Sequence, residues 1–155
     1  RITSPRRLGI MGGSNGGLLM GVSMLQNPDL FNAVVIQVPL LDMLRFTEIG
    51  AGASWAGEYG SPDVPEERAF LQGISPYHNL RRDPRYPEPL IITKTNDDRV
   101  HPAHARKFAA RMAEMGLPYL FYEETEGGHS GDANLRQVAR DAALTHVYLA
   151  RKLMD

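Results

Sequence analysis

The chain has 155 residues, no cysteine, and 17 Lys+Arg against 18 Asp+Glu, for a formal net charge of −1. That length suits one domain burying roughly 70% of its unfolded surface, and 43% hydrophobic with 23% charged residues excludes wholesale disorder. The balanced charge argues against a nucleic-acid binder, the missing cysteine removes disulfides, thiolate metal sites and a Cys nucleophile, and no apolar run approaches the roughly 20 residues that span a bilayer.

In chain order, Leu8-Gly9-Ile10-Met11 is a short apolar run between Arg6-Arg7 and Gly12-Gly13. Residues 17–26 are apolar nearly all round and predict a well-buried helix. The run Ala33-Val34-Val35-Ile36-Gln37-Val38 is β-branched and ends at Pro39. Residues 41–88 form a Gly- and Pro-rich excursion, in which 66–72 predict a short helix. A third apolar run covers 89–95. Pro102 is placed as a first helical residue, and Ala105, Phe108, Ala109 and Met112 then recur at helical spacing until Gly116. The run 118–122 fades into acidic residues. Last, Leu135, Val138, Ala139, Ala142, His146, Leu149 and Leu153 predict one buried helical face, with Asp132 or Ser130 placed to cap it.

Short apolar runs alternating with helices predict strands buried on both faces, as in parallel sheets with right-handed crossovers. The expected class is α/β, with about four mostly parallel strands and flanking helices.

Gly12-Gly13-Ser14-Asn15-Gly16 fits G-x-S-x-G between a predicted strand and a predicted helix, the setting of a nucleophile elbow. The helix start behind it offers unpaired N–H groups where an oxyanion would form. On its own the motif reads equally as a Gly-rich structural turn or a phosphate-binding turn. Two later stretches weigh against those readings. Asn96-Asp97-Asp98-Arg99-Val100 follows the third strand, and Glu126-Gly127-Gly128-His129-Ser130-Gly131 follows the fourth. Serine, acid and histidine beyond successive strand ends is the chain order of α/β-hydrolases. A serine hydroxyl needs an imidazole to remove its proton, and the imidazole needs a carboxylate to fix its tautomer. Spacing alone leaves Asp97 and Asp98 exchangeable.

The chain resembles the C-terminal part of the catalytic domain of the prolyl oligopeptidase family. The shared stretches are Gly12 to Gly17, Asn27-Pro28-Asp29-Leu30-Phe31, Asp42-Met43-Leu44-Arg45-Phe46, the WAGEYG of 55–60, Ser75-Pro76-Tyr77-His78-Asn79 and Asp97-Asp98-Arg99-Val100, in the family's order. The resemblance implies Ser14 as nucleophile, His129 as general base, Asp97 as triad acid and the Asn15 N–H as an oxyanion donor. It places Trp55 against a substrate proline, with Tyr59 and Val100 lining that pocket, and Arg99 on a substrate carbonyl. Asp98 is then a loop or salt-bridge residue, and His78 has a structural role.

The implied activity is peptide cleavage on the carboxyl side of proline. An esterase or acylaminoacyl-type peptidase would use the same triad, and a catalytically incompetent fragment is the alternative of another class. The implied partner is a proline-containing peptide, with no nucleic acid, membrane, cofactor or metal. Without their family motif, Trp55 reads as an ordinary core or surface aromatic and Arg99 as half of a surface ion pair. His101 and His104 read as solvated surface residues, since no acidic partner suits a metal site, and His146 as a packing residue.

The family's propeller and early hydrolase strands have no counterpart in these residues, and the chain opens at Arg1 without an initiator Met. The expectation is therefore that residues 1–155 form one partial domain, the C-terminal half of an α/β-hydrolase fold. Its first strand would expose an edge that pairs with a second copy or with the upstream part. The family's second oxyanion donor, an upstream tyrosine, would also be missing, a loss of typically about 100- to 1000-fold in turnover.

Overall fold

A computed structural model describes residues 2–154. Four strands, β1 (Gly9–Gly13), β2 (Ala33–Gln37), β3 (Leu90–Lys94) and β4 (Leu120–Glu124), lie side by side in sequence order, every pair parallel. Helix α1 (Asn15–Gln26) connects β1 to β2. Short helices α2 (Ala56–Tyr59), α3 (Pro65–Gly73) and α4 (Pro76–Asn79) occupy the excursion before β3. Helix α5 (Ala103–Glu114) connects β3 to β4, and α6 (Leu135–Leu153) follows β4. No helix among the described residues is long and apolar enough to cross a membrane.

Strand alternation sorts the apolar side chains into two layers. Val34, Ile36 and Ile91 pack with Met24 of α1 and with Phe108 and Met112 of α5. Ala33, Val35, Leu90 and Ile92 face the other way, onto Tyr148 of α6. The Tyr148 hydroxyl donates to the Glu88 carbonyl at 2.6 Å and accepts from the Val34 N–H at 2.9 Å. Burial pushes its phenol up to about 12, so it stays a donor throughout the physiological range.

Only β2 and β3 are buried on both faces. Strands β1 and β4 are half exposed, with Met11, Leu120 and Phe121 open to solvent, because each has a neighbour on one side only among the described residues. Helix α1 is likewise not buried all round: Leu18 and Met24 are covered while Leu19 is exposed. Pro102 takes the N-cap of α5 rather than its first helical position, and Gly116 ends the turn with φ +69°.

Helix α6 differs most from its expected form. Its cap is Asn134, whose side chain accepts from the N–H groups of Arg136 and Gln137 at 3.0 and 3.1 Å, not Asp132 or Ser130. Its buried residues are Gln137, Thr145 and Tyr148; of the expected face Leu149 and Leu153 pack against the core beside Tyr148, while Leu135, Val138 and His146 face solvent.

His104 is also corrected. It is 1% exposed, and its Nδ1 accepts from the N–H groups of Leu41 and Asp42 at 3.2 and 3.1 Å. Burial lowers its pKa to about 4, which keeps the ring a neutral acceptor. It holds the chain just beyond β2, where the buried Asp42 carboxylate also pairs with Lys107. On the same segment Ser75 Oγ accepts from the Met43 N–H at 2.9 Å and lies 2.8 Å from His78 Nδ1.

Candidate active site

Ser14 sits in the turn between β1 and α1 with φ 58° and ψ −120°, a conformation that L-residues rarely adopt and that costs on the order of 1–3 kcal/mol. Neighbouring backbone packs closely around the turn. A Cβ on Gly12 would lie 2.6 Å from the Gly16 carbonyl oxygen, and one on Gly17 would lie 2.7 Å from Pro39 Cβ. Gly16 itself has open space around it, so the last glycine of the motif is not sterically required. The Ser14 N–H donates to the Gln37 carbonyl at 2.9 Å, fixing the turn to the end of β2.

Asp97 lies in the turn after β3, 5% exposed. Its Oδ1 accepts from the N–H groups of Arg99 and Val100 at 3.0 and 2.8 Å, and its Oδ2 stands 2.8 Å from His129 Nδ1. His129 Nε2 in turn stands 3.1 Å from Ser14 Oγ. The carboxylate can only accept, so it fixes the proton on Nδ1 and leaves Nε2 free to take one from the serine. Asp98 is exposed and takes no part.

Asn15 opens α1, and its N–H has no backbone partner among the described residues. Its side-chain oxygen accepts from the Tyr59 hydroxyl at 2.6 Å. Burial, then the charge of Glu58, raises the Tyr59 phenol, which favours its role as donor. Trp55 and Tyr59 are half-buried and pack with buried Val100 on one apolar cluster that includes Leu18 and Phe46. The Arg99 side chain is exposed and makes no ion pair among the described residues, which removes its reading as half of a surface salt bridge.

The structure thus gathers Ser14, Asn15, Asp97 and His129 at the C-terminal ends of the strands, with Trp55, Tyr59 and Val100 on one adjoining cluster. Among the described residues no three His, Cys, Asp or Glu side chains converge as a metal site would require. Lys94 and Gln137, which contact the segments flanking His129, escaped sequence reasoning, and Asp132, read there as a helix cap, pairs with Lys94 instead. The one signal was a lysine closing an otherwise apolar strand run, Leu90-Ile91-Ile92-Thr93-Lys94.

Comparison with known proteins adds an independent line. A family model described as the prolyl oligopeptidase family matches residues 1–155. The chain is 63% identical over 155 residues to an uncharacterized peptidase of Sinorhizobium fredii, covering all of this chain and 21% of that protein. It is 39% identical over 145 residues to a prolyl endopeptidase of Elizabethkingia meningoseptica, covering 91% of this chain and 21% of that protein. A solved post-proline cleaving enzyme from Rickettsia typhi matches with a TM-score of 0.95 at 42% identity, over 99% of this chain and 22% of that one. The chain spans about a fifth of the length of the relatives it matches.

Proposed function

The chain belongs to the prolyl oligopeptidase family, and from that premise we propose that it is the catalytic segment of a serine-type peptidase cleaving on the carboxyl side of proline. The observation that carries the reading is the run of short contacts from Asp97 through His129 to Ser14. In this mechanism His129 Nε2 takes the Ser14 proton as Oγ attacks the scissile carbonyl carbon, and the Asn15 N–H stabilises the oxyanion. The imidazolium then protonates the departing amine, leaving an acyl-serine. Water, deprotonated by the same imidazole, attacks the ester carbonyl, and the imidazolium returns the proton to Ser14 Oγ as the acyl–oxygen bond breaks and the acid is released.

The proline preference rests on Trp55, with Tyr59 and Val100 beside it, as a flat apolar platform for the pyrrolidine ring. Arg99, exposed and planar, suits a substrate carbonyl. These pocket features favour the post-proline reading over an esterase or acylaminoacyl-type peptidase. Residues 1–155 act in this reading as one partial hydrolase domain within a larger protein.

The test compares peptides that differ only in Pro or Ala before the scissile bond, using the intact protein that carries this chain. Cleavage confined to the proline peptide, and absent in Ser14→Ala, is the expected result. Equal turnover of both peptides, or turnover retained in Ser14→Ala, would sink the assignment.

A further inference from the structure

His129 occupies the tip of a tight turn. Gly128 and Gly131 face each other across it, the N–H of each donating to the carbonyl of the other at 3.1 and 3.3 Å. Gly127 enters the turn at φ +82°, where a Cβ would lie 2.8 Å from the Gly131 carbonyl oxygen. A cleft of about 280 Å³ adjoins the turn, lined by Gln37, Val38, Lys94, His129, Asp132 and Asp141. The His129 ring is met by Asp97 at the tip, while the backbone that carries it borders this open volume and is held at its two feet.

Both feet are gripped. Gln137 of α6 is 9% exposed, and its amide bridges them: Nε2 donates to Glu126 Oε2 at 2.7 Å, and Oε1 accepts from the Ala133 N–H at 2.9 Å. Lys94, the last residue of β3, places Nζ 2.6 Å from Asp132 Oδ1 on the second foot. Both side chains of that pair are about nine-tenths buried. Lys94 thus ties the loop of His129 to the strand that leads, three residues later, to Asp97. Asp141 of α6 and Glu124 at the end of β4 are the other acidic groups of this cluster. Burial, with Asp132 second, raises the Asp141 carboxyl, while Lys94 lowers it.

We propose that the Lys94–Asp132 ion pair, acting with Gln137, is the positioning device that holds His129 in line between Asp97 and Ser14; its catalytic consequence rests on the serine peptidase reading above. Neither charged residue touches the reacting atoms. A buried pair of this kind contributes geometry more than net stability, because its attraction is offset by desolvation. Geometry is what proton transfer from Ser14 requires, since a misplacement of about 1 Å can cost about 100-fold.

The test uses the intact protein and reads two quantities: the rate at which a fluorophosphonate modifies Ser14, and hydrogen exchange of residues 126–134. In Asp132→Ala the Asp141 side chain remains beside Lys94 in the same cluster; removal of one partner of a buried pair lowers the thermal midpoint, so circular dichroism establishes that the variant is folded at the assay temperature. Labelling is expected to slow about 10- to 100-fold and loop exchange to accelerate, with KM for a proline peptide unchanged. Lys94→Met should reproduce this, and the double variant should be no slower than either single one. Should Lys94→Met fail to fold, Asp132→Ala and Asp132→Asn carry the comparison. Wild-type labelling and exchange in Asp132→Ala, or losses that multiply in the double variant, would overturn the proposal. A wild-type protein that never labels would instead overturn the peptidase reading, and loop exchange would still decide the role of the ion pair.

Discussion

His129 Nε2 and the Ser14 hydroxyl oxygen stand 3.1 Å apart although 115 positions separate them in the chain. The sheet makes that closeness possible: β1 and β4 carry the two residues just beyond their C-terminal ends, and Asp97 follows β3, one of the two strands between. Ser14→Ala and His129→Ala should each lower turnover of a proline peptide by about 10⁴-fold or more. Asp97→Asn should cost about 10⁴-fold with KM little changed, because an amide can hold the wrong imidazole tautomer. Steady-state kinetics on the intact protein checks all three.

Trp55 is half-buried and packs against the cluster of Leu18, Phe46 and Val100. Trp55→Ala should reduce the preference for Pro over Ala before the scissile bond by about 10- to 200-fold, the range open to one apolar contact surface. The ratio of the two kcat/KM values is the readout. An unchanged ratio would move the proline site away from this cluster.

Tyr59 links that cluster to Asn15, the residue after Ser14, through its 2.6 Å bond to Asn15 Oδ1. Tyr59→Phe keeps the ring and deletes the bond, worth about 1 kcal/mol net. The expected outcome is a fall of about 5-fold in kcat with a smaller change in KM.

Stability should fall in acid partly because of His104. Its folded pKa, about 4, lies below the ordinary histidine value of 6.5. Between those values the unfolded chain binds a proton that the folded one refuses. The contribution is therefore fully present above pH 6.5 and is lost as pH falls toward 4, about 3 kcal/mol in all. His104→Gln can still accept from Leu41 and Asp42 but takes up no proton. Urea unfolding at pH 7 and pH 4.5 should show a smaller acid loss in that variant than in the wild type.

Strand β1 is hydrogen-bonded to β2 alone among the described strands, leaving one parallel edge open. A polypeptide of these 155 residues is expected to self-associate through it, or to bind an upstream fragment supplied in trans. Light scattering after size exclusion measures this. A monodisperse monomer with fast-exchanging amides at 9–13 would contradict it.

Much of this arrangement was legible because it is local. The four strand runs, the Pro102 and Gly116 boundaries and the G-x-S-x-G turn each declare themselves within a dozen residues. What escaped depends on distant partners. His104 looked like a surface residue because the amides that bury it belong to Leu41 and Asp42, more than sixty positions away. The stripe on α6 holds at Leu149 and Leu153 but not at Leu135 and Val138, where Gln137 is buried instead through polar partners on other segments. Asp132 looked like a helix cap and Lys94 carries no motif; only the fold brings the two together.

The most direct measurement of the central claim is fluorophosphonate labelling of the intact protein followed by peptide mapping. A single adduct on Ser14, absent in His129→Ala and blocked by a proline-containing peptide, is the predicted result. An adduct on another residue, or none on a folded protein, would contradict the account.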